Sequence, residues 1–141
     1  MGSSAVKAVI GKENMAKNVT SFRVRNWRGV DERAARGGLK TRRVFEAASD
    51  DGFESCLAFA QYNYLPPGEA NETHVHDDIE KVYFVVQGDA LVKCGEEQAQ
   101  VKPGDFFFLP VGIEHSVTNT GSDEVQMIVF AARVDGDRTT A

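Results

Sequence analysis

GEANETHVHDDIEKVYFVVQG at residues 68–88 and GDFFFLPVGIEHSVTN at residues 104–119 decide the fold, and together they hold all three histidines of the chain. In the first stretch His74 and His76 stand one residue apart, a spacing that on a strand puts both imidazoles on the same face. Imidazole is the commonest metal-binding side chain. In the second stretch His115 opens a strand-like segment that ends at Asn119 and can bring a third nitrogen from a facing wall. Three neutral imidazoles, with or without a carboxylate, suit Fe, Mn, Ni, Cu or Zn and leave positions for water or substrate.

Working outward, the segments on both sides of these stretches read as β-structure broken by turns every 8–12 residues or so, the rhythm of a sandwich or barrel. Residues 56–65 are apolar or aromatic at nearly every position, and Pro66-Pro67-Gly68 ends them. Residues 81–87, 90–94 and 98–101 predict further strands, joined by Gly88-Asp89 and by a hairpin at Gly95-Glu96-Glu97. Lys102-Pro103-Gly104-Asp105 is another turn. Residues 106–109, 115–119 and 125–132 complete the set. Both faces of 106–109 are apolar, so one is expected to line the barrel and the other to be covered by a second layer or a partner subunit.

Toward the N-terminus, residues 1–20 show no period and read as a loosely held lead-in. Phe22 and Val24 alternate with Arg23 and Arg25, which predicts a strand over 21–27. Residues 32–36 predict a short helix closed by Gly37-Gly38, residues 39–47 a second strand, and Asp50-Asp51-Gly52 a turn. The expected organisation is a basic N-terminal arm over 1–48 with short strands packing on the barrel, a barrel over 49–132 and a flexible tail over 133–141.

The net charge of −5 divides unevenly, with residues 1–48 at +7 and residues 49–141 at −12. A basic arm carrying Phe22 and Trp27 is one way to bind nucleic acid. The acidic body on the same chain is a nearer partner, and no pair of helical periods flanks a turn, so self-association within or between subunits is the expectation. At 141 residues the chain fits one domain. No stretch approaches the roughly 18 apolar residues of a membrane span, and no apolar leader is visible, so a cytoplasmic protein is expected. Cys56 and Cys94 are too few for a disulfide framework and are expected to be reduced, buried and inert.

The two histidine stretches resemble the paired motifs of the cupin superfamily. The family's first motif runs Gly, five residues, His-x-His, three or four residues, Glu, six residues, Gly, and is similar to Gly68, His74, His76 and Gly88 here. The second is matched throughout by Gly104, Pro110, Gly112, His115 and Asn119. The resemblance covers residues 50–132 and implies an all-β, conical antiparallel barrel, a double-stranded β-helix or jelly roll. It implies a divalent transition metal (Fe, Mn, Ni or Zn) held by His74, His76, Glu80 and His115. The glycines, Pro110 and Asn119 are then read as structural, shaping turns at the barrel ends.

The carboxylate departs from the pattern. Glu80 keeps its distance from His76, but seven residues rather than six separate it from Gly88, and the position with six between is Lys81. Neighbours on a strand face opposite ways, so only one of the two enters the site. Placing Glu80 inward sends Val82, Phe84 and Val86 in with it and leaves Lys81 and the Tyr83 hydroxyl outside, with a bulge or longer turn near Gln87-Gly88 absorbing the extra residue. The alternative is a three-histidine site with Lys81 beside it, repelling the metal.

Asp77, Asp78 and Glu114 are read as solvated loop acids, the alternative being that one of them orients an imidazole by accepting its distal N–H. Tyr62, Tyr64 and Tyr83 are read as packing residues rather than pocket donors. The resemblance implies a metal-dependent protein acting on a small organic molecule, with dioxygenase-like chemistry leading and no general base identifiable. A metal-dependent isomerase or lyase, and a non-catalytic sensor or small-molecule binder, are the alternatives. Homodimerisation is expected from the doubly apolar strands and the charged arm.

Overall fold

Alternation of inward and outward side chains organises ten antiparallel strands in a computed structural model, which describes residues 22–50, 53 and 55–134. They are β1 (Arg33–Ala34), β2 (Lys40–Glu46), β3 (Leu57–Leu65), β4 (Ala70–His74), β5 (Ile79–Gln87), β6 (Ala90–Cys94), β7 (Glu97–Val101), β8 (Phe106–Leu109), β9 (His115–Asn119) and β10 (Val125–Arg133). One sheet runs β1-β2-β3-β10-β5-β8 and the other β4-β9-β6-β7. This is an all-β jelly-roll arrangement, as the strand pattern predicted. Among the described residues no helix is long and apolar enough to cross a membrane.

The sheets share one core. Val85 on β5, Val125, Met127, Val129 and Ala131 on β10, and Leu109 on β8 meet Ala90, Val92 and Val117 of the other sheet. Each large apolar side chain withdrawn from water in this way contributes about 1.5–3 kcal/mol. Tyr83 stacks on Phe107 inside, with ring centres 4.5 Å apart. The barrel ends are held by polar residues of the second motif. Asn119 Nδ2 donates to the carbonyls of Leu65 and Asp123, and its Oδ1 accepts from Gly121 N–H, so one side chain ties three connections together. Gly88 has φ of 85°, and a Cβ there would crowd Glu124 O at 2.8 Å.

The N-terminal segment departs from expectation in three ways. Residues 22–26 form no strand, Phe22 and Val24 are exposed, and Trp27–Gly29 make a single 3-10 turn. Trp27 stacks flat on Tyr62 at 4.2 Å, so an aromatic contact anchors this segment where strand pairing was expected. The helix expected over 32–36 is replaced by a hairpin, with Arg33 opposite Thr41 and Ala34 opposite Lys40. Gly37, at φ of 61°, sits against Ala70 O so closely that any Cβ would collide, and Gly38 N–H donates to the same carbonyl at 3.1 Å. The two glycines therefore dock a turn on β4 rather than end a helix.

The arm's cations also pair locally. Arg25 clamps Asp50, Arg42 and Lys40 reach Glu32, and Arg43 pairs with Glu46, all within residues 25–50. Of the acidic body expected as their partner, only Asp50, at its very start, takes part in these pairs. β2 is a full member of the larger sheet through β3. Arg133 and Val134, expected in the tail, donate backbone bonds to Cys56 O and Asp78 O. The lead-in over 1–20, Asp51-Gly52 of the expected turn and residues 135–141 lie outside the described residues. Cys56 is exposed and Cys94 half-buried, so neither is the buried thiol expected. On β8, Phe107 and Leu109 face the core as expected, while Phe106 and Phe108 stand 70% and 53% exposed, with no second layer over them among the described residues.

Candidate metal centre and its cavity

His74 ends β4 and lies directly opposite His115, the first residue of β9. Residues paired across strands project to one face, so these two rings meet, with centres 4.4 Å apart. His76 lies past the end of β4, and its position depends on a contact between the two histidine stretches: Gly112 N–H donates to His76 O at 2.7 Å. Its ring centre is 4.7 Å from that of His74 and 5.5 Å from that of His115. One donor atom from each ring lies within 4.8 Å of the others, so the sequence-expected triad is assembled.

Backbone carbonyls orient these rings. His74 Nδ1–H donates to Glu72 O at 2.6 Å, and His115 Nδ1–H donates to Ile113 O at 3.1 Å. Both tautomers are thereby assigned with Nε2 unprotonated. Asp77, Asp78 and Glu114 are exposed and no such bond joins them to an imidazole: carbonyls two residues upstream do the orienting. Burial is the first cause that lowers the pKa of all three histidines, opposed at His74 and His115 by the carbonyl bonds; His76, with Lys81 adding to burial, falls to about 4. The triad is neutral at pH 7, the state in which imidazole ligates metals.

Glu80 does not join them. On β5 it is Lys81, Tyr83 and Val85 that are buried, while Val82 and Val86 are exposed. The expected inward set is therefore reversed, and Glu80 belongs to the outward face with Val82. The cause is the register: Gln126 pairs with Gln87 but Met127 with Val85, so a bulge absorbs one residue around Val86. Lys81, with six residues between it and Gly88, takes the inward position. Its Nζ lies 3.1 Å from His76 Nε2. Burial, then Arg43 and Arg36, lower its pKa to about 8, so at neutral pH the ammonium donates to the imidazole.

Two of the three histidines, His74 and His76, line a cavity of about 240 Å³. Its far wall comes from residues not assigned to the site from sequence: Arg33 and Arg36 of the β1–β2 hairpin, Arg43 on β2, and Gln61 and Asn63 on β3. Gln61 and Asn63 carried a legible signal, being polar residues two apart on an otherwise apolar strand. Tyr83 also lines the cavity, and burial raises its pKa far above the ordinary phenol value. Tyr62, by contrast, packs under Trp27 and donates to Gln126 Oε1.

The donor set fits a metal ion. His115 Nε2 is buried and has no hydrogen-bond partner, an orphaned lone pair that a cation would satisfy. Three donors on one ion at about 2.1 Å stand roughly 3.4 Å apart in tetrahedral geometry, within reach of the spread seen here.

Comparison with known proteins agrees with this architecture. The family model described as "Cupin domain" matches residues 62–131. An oxalate-binding protein of Thermotoga maritima is 28% identical over 64 residues, 45% of this chain and 53% of that protein. The chain spans about half the length of the curated relatives it matches. Among solved structures, a predicted oxalate decarboxylase from Thermotoga maritima superposes with a TM-score of 0.70 at 17% identity, covering 79% of this chain and 100% of that one. The polyketide cyclase RemF from Streptomyces resistomycificus gives 0.65 at 15% identity, covering 81% and 80%. At these identities the likeness is one of fold. Both motifs, the jelly roll and the family match together place the chain in the cupin superfamily.

Proposed function

We propose that this chain is a metal-dependent cupin acting on a small organic molecule, with a divalent transition metal (Fe, Mn, Ni or Zn) held by His74, His76 and His115. The buried, unpartnered Nε2 of His115, beside two further neutral imidazoles, carries this reading. A bound metal would supply Lewis-acid polarisation or, as iron, redox chemistry toward O₂. With three imidazoles and no protein carboxylate as donors, a bound metal would keep positions open for a small ligand, and dioxygenase-like chemistry is the reading put first, with isomerase or lyase chemistry as the alternatives. The chain's own residues orient the imidazoles through Glu72 O and Ile113 O and hold a proton at Lys81 Nζ. That the Thermotoga relative is named for binding oxalate supports a small ligand. Oxygen uptake by the iron-loaded protein against a panel of small acids, diketones and phenols tests this assignment; iron binding without any uptake removes the dioxygenase.

One observation favours a second reading, a metal-free small-molecule-binding cupin. Lys81 Nζ already occupies the His76 lone pair, as in a site that takes its ligand by hydrogen bonds alone. Metal analysis separates the two. We also assign pairing with a second copy of the chain to the outer face of β8-β5-β10. There Phe108, Val82 and Phe130 form one cross-strand row and Phe106, Phe84 and Ile128 the next.

A further inference from the structure

We propose that the β1–β2 hairpin, outside the part of the chain matched by the cupin family, builds an anion-binding wall opposite the histidines, and that the ligand is a small organic acid whose carboxylate it takes. The proposal deepens the reading above by naming the substrate class, and its anion-binding part rests on the cavity alone. Arg33, Arg36, Arg43 and Lys81 all line the cavity, and among the described residues no Asp or Glu does. Among the described residues neither Arg36 nor Lys81 has a carboxylate within ion-pair distance. Arg43 is engaged by Glu46 and Gln61 through Nη1 and Nε, which leaves its other terminal nitrogen to turn toward the cavity. Of these cations Lys81 is buried, Arg33 and Arg36 are exposed, and Arg43 is already paired with Glu46, so the buried charge that an anionic ligand would answer is that of Lys81, with Arg36 free to close on the same anion.

Arg36 is held at the mouth rather than left to wander. Ala35 N–H donates to Leu39 O at 2.8 Å, Leu39 N–H to Arg36 O at 3.2 Å, and Gly38 N–H to Ala70 O at 3.1 Å. The hairpin is thus closed on itself and bonded to the strand that carries His74. Asn71 on that strand lines the cavity with a buried amide oxygen lacking a partner, a place for a ligand hydroxyl or water. Metal and ligand also act together here. A metal on His76 Nε2 takes the acceptor that Lys81 now uses, and the ammonium must turn to another acceptor. Three neutral imidazoles cancel none of the metal's charge, so the occupied site is strongly positive and a carboxylate answers both needs. About 240 Å³ is room for about eight waters, enough for a compact acid.

The test is calorimetric titration of metal-free and zinc-loaded protein with oxalate, malonate and succinate, and with the corresponding neutral diamides. At least one diacid is expected to bind about tenfold or more tightly than its diamide, and Arg36→Gln and Lys81→Met each to weaken it about fivefold or more. Arg36 lies on an exposed turn, so its variant is expected to fold and to keep the wild-type zinc stoichiometry. The proposal is overturned by diamides binding as well as diacids, by no diacid binding below about 10 mM in either form, or by variants that bind like wild type. Arg36-dependent acid binding by a protein that takes up no metal keeps this inference and removes the metal reading. Zinc uptake without acid binding does the reverse.

Discussion

Lys81 Nζ lies 3.1 Å from His76 Nε2, so an ammonium holds the lone pair that a metal ion needs. Charge and hydrogen bonding at this one contact set metal against proton. Replacing Lys81 with glutamate removes the competitor and supplies a carboxylate at the inward position of β5. Zinc affinity, measured by competition with a chromophoric chelator, is expected to rise about tenfold or more in Lys81→Glu, and an unchanged or weaker affinity contradicts the role given to Lys81.

Acid is expected to unfold the metal-free protein through the same cluster. His76 has its pKa lowered from an ordinary 6.5 to about 4, so between those values the unfolded chain binds more protons than the folded one. The stability this contributes is fully present above pH 6.5 and is lost as the pH falls through about 4. Thermal midpoints of the metal-free protein should fall across this window, less steeply in His76→Gln. Parallel profiles for the two proteins would show that His76 is not the group responsible.

Asn119 is placed as a structural lock. Asn119→Ala leaves the carbonyls of Leu65 and Asp123 without their donor in a buried corner, which is expected to cost about 2–3 kcal/mol in urea unfolding. A loss under about 0.5 kcal/mol would mean that water replaces the side chain there.

The strands, the triad and the turn glycines were legible because period-two alternation and fixed spacings reflect local geometry. Glu80 was misplaced for a reason that is also geometric. His76 lies beyond the regular part of β4, so a count forward from it carries no strand register, and what puts Lys81 on the face of Tyr83 and Val85 is the unbroken pairing of Ile79–Val85 with β10, which ends at the bulge. The arm was harder. Phe22 and Val24 alternate like a strand, but no edge pairs with them, and Trp27 on Tyr62 decides the path instead. Arg33, Arg36 and Arg43 read as undifferentiated basic charge because what brings them to the cavity is a hairpin docked on β4, a contact between distant segments that no local pattern encodes.

The outer face of β8-β5-β10 leads to an expectation about assembly. Phe106 is 70% and Phe130 50% exposed, on adjoining cross-strand rows. Multi-angle light scattering is expected to give a dimer for the wild-type chain and a monomer for the double variant Phe106→Lys, Phe130→Lys. A monomeric wild type at micromolar concentration removes this interface.

The central claim is that His74, His76 and His115 hold one metal ion, and elemental analysis tests it most directly. Protein stripped with chelator, reconstituted separately with Fe(II), Mn, Ni and Zn and desalted is expected to retain about one equivalent of at least one metal, and His115→Ala to retain almost none. Wild-type protein that keeps less than about a tenth of an equivalent of all four would contradict the account.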